Sequence, residues 1–190
     1  DASRRAIRKV LNRVDSLLDI SKMESGEMSL DREPIDLITL ADSVANELRP
    51  LADELEVEII NQVSPDLPPL DVDGDKIESV LLNLVDNALK YSPANSRVVI
   101  NSRIVDKQFL QVEVIDNGPG VPADYKKRLF DRFVQVEGRQ VVRRGVGLGL
   151  AFCKLVTEAH GGKIWVEDNP DGGSIFIATL PIAILPELAD

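Results

Sequence analysis

Three polar residues, Asn83, Asn87 and Lys90, recur at intervals of four and three within the segment 75–91. On a helix this spacing places them along one face. The apolar residues of the segment form a separate stripe, which consists of Ile77, Leu81, Leu84 and Ala88. An amide oxygen is a suitable ligand for Mg²⁺, and a lysine is a positive point charge for phosphate. The pattern indicates either a binding face for a phosphorylated ligand with its cation or the solvated face of an ordinary amphipathic helix.

A second candidate site is the sequence Asp-Asn-Gly-Pro-Gly at 116–120, which follows an alternating apolar run typical of a strand. Gly118 and Gly120 would allow a sharp turn and a close approach of the backbone to a ligand. Asp116 would place a carboxylate at the end of the strand. An Asp in this position also begins an ordinary Asx turn, so the residues alone leave both interpretations open.

A third candidate site is the sequence Gly-Val-Gly-Leu-Gly-Leu at 145–150, which opens a segment with helical periodicity. Its glycines would let the backbone approach a phosphate, and the following helix would present free N–H groups to the anion. The motif is not a Walker A loop, because no Lys-Ser or Lys-Thr follows the glycines. Its glycine spacing also differs from the dinucleotide fingerprint. The glycines alone are therefore a weak indicator of function.

The three motifs occur in a fixed order, and Leu-Phe-Asp-Arg-Phe at 129–133 lies between the last two. The ordered set resembles the N, G1, F and G2 boxes of sensor histidine kinases, which belong to the GHKL superfamily and have the Bergerat ATP-binding fold. The resemblance extends from the first residues to about Pro181. It implies a nucleotide-binding domain that uses ATP and Mg²⁺.

By this resemblance, Asn83, Asn87 and Lys90 are the catalytic residues, with Asn87 as the Mg²⁺ ligand. Asp116 would contact adenine. Because a carboxylate only accepts hydrogen bonds, it can bind the amino group of adenine but opposes the carbonyl of guanine. An unpaired buried polar group costs about 1–3 kcal/mol, which is enough to favour ATP over GTP.

The resemblance also implies that the segment between Phe130 and Gly145 covers the nucleotide, with Phe130 and Phe133 as its anchors. Basic residues of this segment would either reach the γ-phosphate or simply be solvated. The complete predicted ATP site comprises Asn87, Lys90, Tyr91, Asp116, Gly118, Gly120, Arg143, Arg144, Gly145, Gly147, Leu148, Gly149 and Leu150.

Asn83 bears on the type of reaction. ATP-hydrolysing relatives of the gyrase and chaperone types have a Glu four residues before the metal-binding Asn, where it is the general base for water. Here that position is Asn83, and an amide cannot take up a proton. Glu78 and Asp86 are expected on other sides of the helix. The site is therefore predicted to hold ATP for a nucleophile other than water.

A phosphoacceptor histidine is not evident in this chain. The single histidine, His160, follows the helix that begins at the glycine motif, where a His and a Gly are ordinary helix-ending residues. The helix would separate it from the phosphate loop by roughly 20 Å, so we predict a structural role. The acceptor is expected on a helix upstream of Asp1, and the chain is expected to be a fragment that does not phosphorylate itself.

The pattern of elements predicts an α+β fold: a two-layer α/β sandwich with a mixed sheet and helices on one face, preceded by an N-terminal bundle helix. Residues 1–28 resemble the end of the dimerisation and phosphoacceptor hairpin; the alternative is an ordinary helix packed on the domain. Residues 29–183 are assigned to the catalytic domain and 184–190 to a tail. Helices are predicted at 37–54, 75–91 and 147–159, with Asp75 as the N-cap of the second. Strands are predicted at 57–63, 97–105, 109–115, 162–167 and 174–180, and the last two form a hairpin with its turn at 169–173.

Composition limits the partners. With 22 basic and 32 acidic residues the net charge is -10, which argues against nucleic acid and anionic membranes as ligands. No apolar run approaches the roughly 20 residues of a membrane span. One cysteine fits a reducing compartment, so the predicted location is cytoplasmic, while membrane attachment of the parent protein stays open. The resemblance adds a homodimer through the N-terminal helix and a cognate response regulator as partners.

Three alternatives remain at this point. The first is a module of the same fold that senses ATP without transferring phosphate. The second is a serine kinase of the anti-sigma type, which the helix near the N-terminus disfavours because those kinases lack the hairpin. The third is a gyrase-like ATPase, which Asn83 disfavours.

Overall fold

The computed structural model describes residues 29–136 and 147–184. In chain order its elements are β1 (Glu33–Ile35), α1 (Leu37–Leu55), β2 (Val57–Asn61), β3 (Leu70–Val72), α2 (Gly74–Tyr91), β4 (Ser96–Ile104), β5 (Phe109–Ile115), α3 (Ala123–Lys126), α4 (Gly149–Ala159), β6 (Ile164–Asp168) and β7 (Ser174–Pro181). Five strands form one sheet in the order β2-β4-β5-β7-β6. Strands β2 and β4 are parallel and the other neighbours are antiparallel.

The long helices α1, α2 and α4 pack on one face of this sheet. Leu110, Val112 and Val114 alternate along β5, the central strand, and are buried under the helices. The period of two is expected for a strand with one face on the core. Helix α2 lies between α1 and α4 and contacts both. This packing fully buries its predicted apolar stripe. The predicted α+β sandwich with a mixed sheet is confirmed.

Several boundaries differ from the sequence-based prediction. Strands β1 and β3 were not predicted and pair in a separate two-stranded sheet; three-residue strands are too short to show a period. Strand β2 ends at Asn61, before the predicted position 63. Helix α4 begins at Gly149, two residues after the predicted start, because Gly147 has a left-handed φ of 78°. A residue in that conformation cannot belong to a right-handed helix.

The N-cap of α2 is Asp73, and Asp75 lies in the first turn. The prediction of Asp75 as the cap was wrong by two residues. The Asp73 carboxylate accepts a hydrogen bond from the Lys76 N–H at 3.2 Å through one oxygen. Its other oxygen accepts one from the Asp31 N–H, also at 3.2 Å. Both residues are acidic and sit just before a periodic segment, so the spacing alone did not separate them.

The predicted bundle helix at 1–28 and nearly all of the tail at 184–190 lie outside the described residues. Their assignment stays a prediction. Among the helices of the described ranges, none combines the length and the apolar character that crossing a membrane requires.

Candidate functional site

Asn83 lies where α2 packs against the beginning of α4. Its side-chain N–H donates to the Ser79 carbonyl at 2.8 Å, one turn earlier. Its Oδ1 faces Gly149, because a Cβ added to that glycine would lie 2.6 Å from the oxygen. Contacts under 3 Å are too close for a real Cβ, so a larger residue at 149 would force the Asn83 amide to shift. The structure therefore brings the polar face of α2 and the glycine motif together.

Asn87 and Lys90 continue this face toward the C-terminal end of α2, and both are partly buried. The Lys90 Nζ forms an ion pair with Asp86, whose side chain is 25% exposed against 14% for the lysine. Asp86 was expected on another side of the helix, but the i, i+4 spacing places it beside Lys90. Glu78 does point elsewhere, since it accepts a hydrogen bond from the Ser43 hydroxyl of α1.

Asp116 is a buried carboxylate, with 3% exposure, at the end of β5. Its Oδ1 accepts hydrogen bonds from the backbone N–H of Gly118 at 2.8 Å and of Ser174 at 3.1 Å. Its own N–H donates to the Ser174 carbonyl at 2.9 Å. The contact with Gly118 is the Asx turn that the sequence allowed. The two backbone donors fix the rotamer of the side chain, so the carboxylate has one orientation.

The loop after Asp116 lies against the C-terminal end of α2. A Cβ on Gly118 would be 2.8 Å from the Tyr91 carbonyl oxygen, so glycine is required here. Gly120 has a left-handed φ of 72°, which favours glycine for a different reason. Tyr91 is 39% exposed, which gives its ring access to a ligand beside this loop. Tyr91, Asp116, Gly118 and Gly120 of the predicted site thus lie together.

The described residues before and after the segment 137–146 contact each other at Phe133 and Gly147. The Phe133 N–H donates to the Gly147 carbonyl at 2.9 Å. A Cβ on Gly147 would lie 2.8 Å from the Phe133 Cα. Phe130 is buried and packs edge-on against Phe176, with ring centroids 6.5 Å apart, as the predicted anchoring role requires. Phe133 anchors through its backbone, since its side chain is 67% exposed.

The remaining residues of the predicted glycine site divide into two groups. Arg143, Arg144 and Gly145 lie outside the described residues. Leu148 is the N-cap of α4, and Leu148 and Leu150 are both partly buried against the hydrophobic core. Within the described ranges, no side chain caps the start of α4. Its first N–H groups and its dipole favour an anion at this end.

His160 is buried at the other end of α4, with 1% exposure. Its Nε2 accepts a hydrogen bond from the Asp73 N–H at 3.0 Å, and its Nδ1 lies 2.8 Å from the Val156 carbonyl. These partners select the neutral ring with the proton on Nδ1. Burial lowers the pKa of His160, and the hydrogen bond to Val156 opposes this in part. The ring connects the end of α4 to the start of α2, as a structural histidine does.

Sequence reasoning missed three contributors to this arrangement. Asp86 pairs with Lys90, and the i, i+4 spacing was a sufficient sign of it. Asn169 and Gly173 lie in the turn between β6 and β7, which was recognised only as a turn. The Asn169 side chain donates to the Asp116 carbonyl at 2.9 Å, and no sequence spacing reveals a contact across 53 residues.

Residues 72–184 match the family described as "Histidine kinase-, DNA gyrase B-, and HSP90-like ATPase". The match includes α2, the loop after Asp116 and the start of α4, which are the elements that build the candidate site. This chain belongs to that family. The predicted GHKL superfamily is therefore confirmed, and its ATP-binding fold agrees with the architecture described above.

Within the histidine kinase-like ATPase family, the chain is similar to named sensor kinases. It is 37% identical over 177 residues to the sensor protein KdpD of Escherichia coli. The aligned region spans 93% of this chain and 19% of that protein. It is 32% identical over 175 residues to the adaptive-response sensory kinase SasA of Rippkaea orientalis. That alignment spans 92% of this chain and 44% of that protein. The chain spans less than half the length of both relatives.

Solved structures of the same family share the fold. Full-length ShkA, crystallised in complex with AMPPNP, superposes with a TM-score of 0.79 at 28% identity and covers 95% of this chain and 39% of that chain. The mycobacterial sensor histidine kinase MprB gives a TM-score of 0.70 at 28% identity and covers 81% of this chain and 99% of that one.

Proposed function

We propose that this chain is the ATP-binding catalytic part of a sensor histidine kinase. It would hold Mg-ATP for transfer of the γ-phosphoryl group to a histidine on an upstream helix, from which a response-regulator aspartate would receive it. The contact between Asn83 and Gly149 carries this proposal, because it sets the polar face of α2 at the uncapped start of α4. Similarity to named sensor kinases supports the same function.

The adenine end of the site would be at Asp116. Its carboxylate would accept a hydrogen bond from the amino group of adenine, and Tyr91 would contact the base or the sugar from the end of α2. Asn83 and Tyr91 are eight residues apart on α2, about 12 Å along the axis. An extended nucleoside triphosphate spans a comparable distance, so one molecule would reach both ends.

The phosphate end of the site would be formed by α2 and α4 together. The backbone N–H groups at Gly147 and Gly149 would donate to phosphate oxygens. Lys90 would add a positive charge whose pairing with Asp86 fixes its position before the ligand arrives. The Asn87 amide oxygen would be a protein ligand of Mg²⁺, and a bound Mg²⁺ would neutralise charge that develops on the phosphates. Arg143, Arg144 and Gly145 stay predicted contributors.

Asn83 supports transfer over hydrolysis. Its amide donates to the Ser79 carbonyl and its oxygen faces Gly149, so it fixes the start of α4 without any capacity to remove a proton from water. The chain's one histidine is buried between α2 and α4, so the acceptor would be another residue. We infer that the acceptor lies on the dimerisation hairpin, and that the protein functions as a homodimer in the cytoplasm.

The test is phosphoryl transfer by the parent protein, which includes the upstream hairpin. After incubation with ATP labelled at the γ-phosphate and Mg²⁺, we expect label on the protein that survives base and is lost in acid. Asn87→Ala should abolish the label. Asn46→Ala, which removes an exposed amide from α1, is the matched control and should retain it.

Absence of label, in a protein that binds ATP tightly, would contradict the transfer reaction and leave a nucleotide-sensing module. Label that is stable in acid would instead identify a serine or threonine acceptor and favour the serine-kinase alternative.

A further inference from the structure

The turn between β6 and β7 makes a specific contact with the end of β5. Asn169 uses both ends of its side-chain amide there. Its Nδ2 donates to the Asp116 carbonyl at 2.9 Å, and its Oδ1 accepts a hydrogen bond from the Asp171 N–H at 3.2 Å. An amide is needed at this position because one end must donate and the other must accept.

Gly173 brings the rest of the turn against the same residue. It has a left-handed φ of 106°, and a Cβ at this position would lie 2.1 Å from the Asp116 carbonyl oxygen. The turn is closed by hydrogen bonds from the Asn169 N–H to the Gly173 carbonyl at 3.2 Å and from the Gly172 N–H to the Asn169 carbonyl at 2.9 Å. No other residue type than glycine fits between the turn and Asp116.

Asp116 is therefore held by the turn and by the start of β7. Ser174, the first residue of β7, donates to the Asp116 carboxylate and accepts from its N–H. Asn169 holds the carbonyl group of the same residue. The rotamers open to a side chain depend on its backbone conformation. A shift of the Asp116 carbonyl group would therefore change the orientation of the carboxylate.

We infer that Asn169 is a positioning residue for nucleotide recognition: it orients Asp116 so that the carboxylate discriminates adenine from guanine. The inference rests on the proposed function, in which Asp116 contacts the base. Asn169 itself contacts no part of the predicted phosphate site in the described structure; it acts only through Asp116.

Two substitutions separate this role from simple closure of the hairpin. Asn169→Asp keeps an oxygen for the Asp171 N–H, so the turn itself is retained, but it replaces the donor to Asp116 with a carboxylate that repels the carbonyl oxygen. Asn169→Ala removes both contacts without adding charge. Asp171→Ala removes an exposed side chain from the same turn and leaves the backbone contacts, so it is the matched control.

The first measurement is calorimetric titration of the 190-residue chain with Mg-ATP and with Mg-GTP. We expect the ratio of the ATP affinity to the GTP affinity to fall about tenfold in Asn169→Asp, because this is the size of the effect of one lost buried hydrogen bond. The ratio is the better measure because an added negative charge weakens the binding of both nucleotides equally. Asn169→Ala should lower the ratio too, and Asp171→Ala should leave it unchanged. An unchanged ratio in both Asn169 variants would overturn the inference.

The second measurement needs no nucleotide. Amide hydrogen exchange at Gly118, whose N–H is bound to the Asp116 carboxylate, should accelerate in both Asn169 variants and not in Asp171→Ala. Unchanged exchange at Gly118 would contradict the positioning role, whatever the chain binds. Faster exchange in a protein that binds no ATP would instead support the positioning of Asp116 and contradict the proposed function.

Discussion

Glycines at positions 118, 149 and 173 each leave room for a group of the candidate site. Gly149 admits the Asn83 amide, Gly118 admits the Tyr91 carbonyl, and Gly173 admits the Asp116 carbonyl. At all three positions a Cβ would lie within 3 Å of the admitted group. Their role at this scale is close approach, and only Gly173 among them also needs the left-handed conformation.

The first prediction concerns Gly149. Gly149→Ala should lower the free energy of unfolding by about 1–3 kcal/mol, because the new Cβ would overlap the Asn83 side chain. Urea denaturation measures this change. In the double variant Asn83→Ala/Gly149→Ala the loss should be smaller than the sum of the single losses by roughly 0.5 kcal/mol or more, since the overlap is gone.

The matched control for this prediction is Gly74, the first residue of α2 as Gly149 is of α4. A Cβ on Gly74 would meet only the side chain of Ile35, with its terminal carbon at 3.3 Å, so Gly74→Ala should have a smaller effect. Strict additivity at Asn83 and Gly149 would show that the two residues are not in contact.

The second prediction concerns the pH dependence that His160 confers. Its pKa is lowered in the folded protein, so the unfolded chain binds the proton more readily. The stabilisation is complete above the ordinary pKa of about 6.5 and is lost as the pH falls through the folded pKa. Urea denaturation between about pH 7 and about pH 5.5 should therefore show decreasing stability.

His160 is the only histidine in the chain, which makes the pH test specific. His160→Gln keeps an acceptor for the Asp73 N–H but does not titrate, so its stability should vary less over the same interval. If wild type and variant had parallel pH profiles, the buried neutral imidazole would be disproved.

Helix α2 organises the site at the scale of elements. Its start is fixed by the Asp73 cap and by His160 from α4, its middle contacts Gly149, and its end contacts Gly118. The site residues on it keep their relative positions because the helix is rigid and its apolar stripe is fully buried between α1, α4 and the sheet. A change at either end of α2 would therefore act on the nucleotide site.

The third prediction distinguishes the two acidic residues at the start of α2. Asp73→Ala should cost about 1 kcal/mol or more of stability, because the N-cap and the contact with the Asp31 N–H are both lost. Asp75→Ala should cost only a few tenths of a kcal/mol, the size of a charge effect in the first turn. Thermal and urea denaturation of both variants measure the difference. Equal losses would place the cap at Asp75 after all.

Local pattern was sufficient to predict the three long helices and the strands of the main sheet, but not the four-residue helix α3. The stripe on α2 and the alternation along β5 result from burial on one face, and burial is visible as a period. The pairing of β1 with β3 and the contact of Asn169 with Asp116 depend on residues far apart in the chain. Such contacts are decided by tertiary packing, so the sequence showed Asp-Gly-Gly at 171–173 as a turn without showing what the turn holds.

At the scale of the whole molecule, the candidate site lies where α2 meets the start of α4 and the loop that follows β5. Asn83 joins α2 to α4, and Asp116 joins β5 to β7. The resemblance to the histidine kinase boxes implied that these motifs form one site, whereas the periodicity within a single element cannot show that distant segments meet. The chain spans less than half the length of the sensor kinases KdpD and SasA.

The most direct test of the central claim is a calorimetric titration of this chain with Mg-ATP and Mg-GTP, in wild type and in Asp116→Asn. The substitution keeps the shape of the side chain but replaces an acceptor with a donor toward the base. We predict that wild type binds ATP at least about tenfold more tightly than GTP, and that Asp116→Asn loses most ATP binding while its circular dichroism spectrum is unchanged. Asp66→Asn, in an exposed loop, should bind as wild type. Equal affinity for the two nucleotides, or an unaffected Asp116→Asn variant, would contradict the account.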